Sequence, residues 1–104
     1  MSLIRIINDP FEVLFRIALK MKPDLRVDVQ WNSKLSMQRK EYGSTTFPDV
    51  GIPLIDINPE LSVINAVEIL AHELAHVVAG ANAGHGEQWE NVFDEINEGY
   101  THLM

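Results

Sequence analysis

A chain of 104 residues with 46% hydrophobic content is long enough for one compact core and too short for two ordinary domains, so a single domain over residues 1–104 is expected. It contains no cysteine, which excludes disulfides and thiolate metal sites and leaves His, Asp and Glu to bind any ion. Eight basic against fifteen acidic side chains give a formal charge of −7, the wrong sign for a phosphate-backbone binder, so nucleic acid is not expected as a direct partner.

No apolar run approaches the roughly 20 residues of a membrane span, and no basic region followed by an apolar core opens the chain. A cytoplasmic protein with no membrane association is the expectation. Met1-Ser2-Leu3 has the look of an expression-vector remnant and is given no function.

In chain order, Asn8-Asp9-Pro10-Phe11-Glu12 reads as a helix start. Asp9 is the cap, Pro10 lies in the first turn, and Glu12 is placed to complete a capping box. Phe11, Leu14, Phe15, Ala18 and Met21 follow helical spacing, and Pro23 with Asp24 stops the helix after about Met21. From Leu25 to Trp31, apolar Leu25, Val27, Val29 and Trp31 alternate with Arg26, Asp28 and Gln30, the pattern of a strand with one wet face. Asn32 to Asp49 is polar and basic with breakers at Gly43 and Pro48, so it reads as a loop holding an irregular second strand. Lys34, Arg39 and Lys40 make a local basic spot there, read as a solvated loop rather than a phosphate contact.

Ile52 to Asn58 returns to strand character, and Asn58-Pro59-Glu60 turns the chain towards a helix capped at or near Ser62. That helix repeats apolar residues at Ile64, Val67, Leu70, Ala71, Leu74 and Val78 as far as Gly80. Ala79 to Gly86 is rich in small residues and reads as a tight connection. A last helix over Glu87 to Glu98 carries the stripe Trp89, Val92, Phe93 and Ile96, with Gly99 ending the pattern. Helices and strands in this proportion and order give an α+β class.

The chemistry is concentrated in the helix that follows Ser62, in the string His72-Glu73-Leu74-Ala75-His76. Imidazoles four residues apart leave a helix on one side and can grip one ion, and the carboxylate of Glu73 can reach a water beside it. A catalytic zinc site takes three protein ligands and keeps one position open, so a third group is needed. His85 precedes Trp89 by four and Val92 by seven, which extends the apolar stripe of the last helix and predicts an inward-facing ring. Gly80 and Gly84 allow the chain to fold back and bring it to the ion. Glu87, Glu90 and Asp94 are the alternative third ligands, Glu90 first among them. Tyr42, Tyr100 and His102 are candidates to assist at an oxyanion, although nothing in the spacing places them there. His102 reads more simply as a free surface histidine near the end of the chain.

The pattern Ile57-Asn58-Pro59, then the helix with HELAH, then His85-Gly86-Glu87-Gln88-Trp89 resembles the zincin peptidases, and among them the SprT-like group. Metzincin spacing would need glycine at position 79 and histidine at position 82, where this chain has Ala79 and Asn82. The resemblance implies a minimal zincin-like fold with a small, mostly antiparallel sheet of about three strands packed with three helices. It also implies His72, His76 and His85 as zinc ligands and Glu73 as catalytic base. A sheet edge, expected within Met37 to Phe47, would align an extended substrate by backbone hydrogen bonds. The zinc ribbon of some members is absent, and the role of other members on DNA-crosslinked proteins, which relies on basic regions, is not carried over.

The expected function is therefore a zinc-dependent endopeptidase acting on flexible or unfolded protein segments. The alternative is a non-catalytic zinc-containing module that holds protein or peptide without cutting it. A third reading, hydrolysis of a non-protein amide or an RNA phosphodiester, is weakened in its RNA form by the acidic charge.

Overall fold

Asp9 begins the first helix as its sequence predicts. The computed structural model describes residues 9–82 and 84–103, so Met1-Ser2-Leu3 and Ala83 lie outside the described residues. The Asp9 carboxylate accepts from the Phe11 N–H at 3.0 Å, and Pro10 takes the first position of α1 (Pro10–Met21). Glu12 does not close the expected capping box; its carboxylate accepts from Arg16 one turn along. Leu14, Ile17 and Ala18 face the core, where Ile17 adds to the apolar set read from the sequence.

The three strands are short: β1 (Asp28–Trp31), β2 (Gly43–Thr46) and β3 (Leu54–Ile57). Their spatial order is β1-β3-β2, with β1 parallel and β2 antiparallel to β3. The α+β class with three strands and three helices is as expected, but the sheet is mixed rather than mostly antiparallel. After β1 the chain passes the middle position, forms the far edge as β2, and returns by a hairpin to fill the centre as β3. Central β3 buries Ile55 and Ile57 against the helices. The expected strand Leu25–Trp31 keeps only its second half, because β3 starts at Leu54 opposite Asp28 and residues 25–27 have no partner strand.

One buried side chain fixes the approach to β2. Asn58, fully buried, donates to the carbonyls of Leu35 (3.3 Å) and Glu41 (3.0 Å) and accepts from the Glu60 N–H (2.9 Å). Its own N–H donates to the Tyr42 carbonyl at 2.9 Å. That last bond sets the parity of the ladder. Bonded and non-bonded pairs alternate along antiparallel strands, so Ser44 and Thr46 turn their backbone groups to β3, while Gly43 and Thr45 turn theirs to the open edge. The edge strand anticipated within Met37 to Phe47 is thus β2.

Ser62 caps α2 (Val63–Ala79), accepting from the Asn65 N–H at 3.2 Å. Ala66, Val67, Leu70, Ala71, Leu74, Ala75 and Val77 are buried, whereas Ile64, counted in the apolar set, is 73% exposed at the first turn. The helix contacts α1, α3, β2 and β3, so apolar residues are spread round much of its girth instead of along one stripe.

The last helix, α3 (Glu87–Leu103), continues past the predicted stop at Gly99. A Cβ at Gly99 would stand 3.3 Å from Ile17 Cγ2. The glycine serves the close approach of α3 to α1 and does not break the helix. Among the described residues no helix is long and apolar enough to cross a membrane.

Candidate metal centre

α2 enters the site over its third and fourth turns. One turn of helix separates His72 from His76, and both rings leave the same side, with centroids 5.1 Å apart. Both are half-buried. Beyond the C-cap at Gly80 the connection turns back through two glycines with positive φ, Gly80 (103°) and Gly84 (55°). This reversal delivers His85, whose ring centroid lies 5.1 Å from that of His72 and 4.5 Å from that of His76. His85 precedes α3 and is exposed. The expected inward-facing histidine is therefore a rim residue, turned towards its two partners from the solvent side.

The three imidazoles form a group whose ligand nitrogens all lie within 4.8 Å of one another. Two nitrogens bound to one tetrahedral zinc at about 2.0–2.1 Å would stand roughly 3.3 Å apart. His72 Nε2 and His85 Nε2 are 3.2 Å apart, a separation at which two ring nitrogens can share either a proton or a metal ion. A three-imidazole set with no thiolate suits zinc and also accepts other late divalent metals. The residues present fit such an ion. The alternative third ligands Glu87, Glu90 and Asp94 are all exposed and none of them belongs to the group.

Electrostatics favours the ligand form of the two helical histidines. Burial pushes the His72 ring below the ordinary histidine value, with Glu73 opposing and His85 adding to the lowering. The same order of causes lowers His76, with His72 contributing last. A neutral imidazole offers its lone pair without first shedding a proton.

α3 supplies an aromatic wall. The Trp89 indole N–H donates to the His72 carbonyl at 3.3 Å, and its ring lies 4.8 Å from both His72 and His85 by centroid. Phe93 stacks on Trp89 at 4.9 Å. Gln88 donates its amide to the Ala79 carbonyl at 3.0 Å, fastening the start of α3 to the end of α2. These contacts hold the connection carrying His85 over the helix. In the sequence Trp89 was legible as part of an apolar stripe and as the aromatic end of the segment from His85, but not as a wall against the histidines.

Glu73 is 7% exposed and turns towards β2, where Thr45 Oγ1 donates to its Oε1 at 2.7 Å. Sequence reasoning missed Thr45, since Ser44, Thr45 and Thr46 are three hydroxyl residues in succession. Strand parity is the one signal that separates them. It puts residues 43 and 45 on the face towards α2, in agreement with the alternating burial of β2.

The three oxyanion candidates are not among the side chains that ring the histidines. Tyr100 packs against the core, and His102 lines a cleft between α1 and α3 with Arg16, Ile17 and Glu95. Tyr42 is exposed, and its carbonyl is used by Asn58. In the basic spot, Arg39 pairs with Glu41 at 2.9 Å, so part of its positive charge is offset locally.

An α+β fold with three imidazoles gathered at one helix and a buried carboxylate between two of them defines a metal-capable protein. The model of the SprT-like family matches residues 7–103, and the chain belongs to that family. Comparison with curated proteins and with solved structures returned no match.

Proposed function

We propose that this protein is a zinc-dependent endopeptidase of the HExxH type, acting on flexible or unfolded protein segments. The observation that carries the reading is the pairing of two things on one helix turn. A group of three histidines can hold an ion, and the carboxylate beside it is buried and anchored. An ion retained for stability alone has no need of a buried carboxylate at its side.

In this reading His72, His76 and His85 would hold the metal, which when bound would supply Lewis acidity and make a nearby water easier to deprotonate. Glu73 takes the proton of the attacking water as general base and passes it to the leaving amine. Trp89 and Phe93 screen one side of the histidines from solvent. The open edge of β2 offers the N–H and C=O groups of Gly43 and Thr45 to an extended chain, which aligns a substrate by its backbone and asks little of its side chains. The net charge of −7 supports protein rather than nucleic acid as the partner.

The test is a Glu73→Gln variant assayed with zinc on a reduced, unfolded protein such as casein. The amide keeps the shape of the side chain and its capacity to accept from Thr45, but it cannot take a proton. Zinc content should be retained and turnover should fall by about 100-fold or more. Turnover equal to wild type would remove Glu73 from the mechanism. A zinc-loaded wild type that binds unfolded protein without cutting it would leave the non-catalytic binding module in its place.

A further inference from the structure

Among the hydrogen bonds of the described residues, the one that reaches the Glu73 carboxylate comes from Thr45, on a different element and 28 positions away in the chain. The bond is short, 2.7 Å, and partly buried, as expected of a charge-assisted contact between a hydroxyl and a carboxylate. Its two ends are unequally held. Glu73 has a long side chain with several rotatable bonds, whereas Thr45 is β-branched and stiff at χ1 and sits on a strand fixed from two sides. Thr45 is registered opposite Ile55 of β3. Two residues back, Gly43 lies so close to α2 that a Cβ there would stand 2.5 Å from Ile69 Cγ2. The strand thus presents the hydroxyl from a rigid base.

We infer that Thr45 is a positioning residue for the reaction proposed above. Its hydroxyl holds one oxygen of Glu73 and so fixes the direction in which the other can take a proton. The inference rests on the peptidase reading. It adds a link between the substrate edge and the base, because the backbone of Thr45 lies on the open edge of β2 while its side chain holds Glu73. Misplacing a catalytic group by about 1 Å costs on the order of 100-fold in rate, which sets the scale of the effect.

Two variants separate the hydroxyl from the rest of the side chain. Thr45→Val keeps the shape and loses the donor; Thr45→Ser keeps the donor. With zinc-loaded protein and unfolded casein, Thr45→Val should lower kcat by roughly 10- to 100-fold at unchanged KM and unchanged zinc stoichiometry. Thr45→Ser should stay within about threefold of wild type. A readout independent of turnover comes from urea unfolding of the metal-free protein in a double-mutant cycle of Thr45→Val with Glu73→Ala. The two changes should be coupled by about tenfold in the folding equilibrium constant.

Full kcat in Thr45→Val, equal losses in Thr45→Val and Thr45→Ser, or additivity in the cycle each overturns the inference and leaves the peptidase reading standing. Absence of cleavage by the zinc-loaded wild type overturns that reading, and the role of Thr45 with it.

Discussion

His72 and His76 carry the pH dependence of the site. Both rings are lowered chiefly by burial, so the folded protein resists protonating them while the unfolded chain takes up protons near the ordinary histidine value of about 6.5. The unfolded state therefore binds more protons just below that value, and stability falls as pH falls through the window. The melting temperature of chelator-treated protein should drop between pH 7.5 and 5.5, and a His72→Gln, His76→Gln variant should show a flatter profile. A wild-type melting temperature that is level or rises towards pH 5.5 would contradict the burial argument. At the same scale, the pairing of the two helical histidines was legible because helical spacing alone puts residues 72 and 76 on one side. Thr45 was not, because its partner Glu73 lies on another element.

Among the elements, β2 governs how the site is framed. Four residues, Gly43 to Thr46, form the sheet edge, hold Glu73 and leave Gly43 against Ile69. Gly43→Ala should push the strand from α2, because a Cβ 2.5 Å from Ile69 Cγ2 and 3.2 Å from the Asp56 carbonyl cannot be accepted without movement. The expected cost is about 1–3 kcal/mol, the range for overpacking a filled contact, measured by urea unfolding. Unchanged stability would mean that β2 is held less firmly than its neighbours indicate. The helices were readable to within a residue at their starts, since Asp9 and Ser62 act through local hydrogen bonds. The sheet was less so. Its pairing depends on contacts distant in sequence, and neither the central place of β3 nor the mixed direction of the strands leaves a trace in local pattern. Gly99 shows the same limit, since a local breaker signal was overruled by the packing of α3 on Ile17.

For the molecule as a whole, the histidine group spans parts that also meet through packing and through the hydrogen bonds of Gln88 and Trp89 to α2 carbonyls. Two imidazoles belong to α2 and the third to the connection that leads into α3. An ion held by all three would close that connection, and its binding energy would add to the stability of the folded state. The measurement that tests the account most directly is metal content by elemental analysis, on protein purified without chelator or nickel resin, for wild type and His85→Ala in parallel. The expected result is one zinc per wild-type chain, with most of it lost in the variant at equal folding. A wild type that holds no zinc even after it is added back, or a variant that keeps its full complement, would contradict the three-histidine centre.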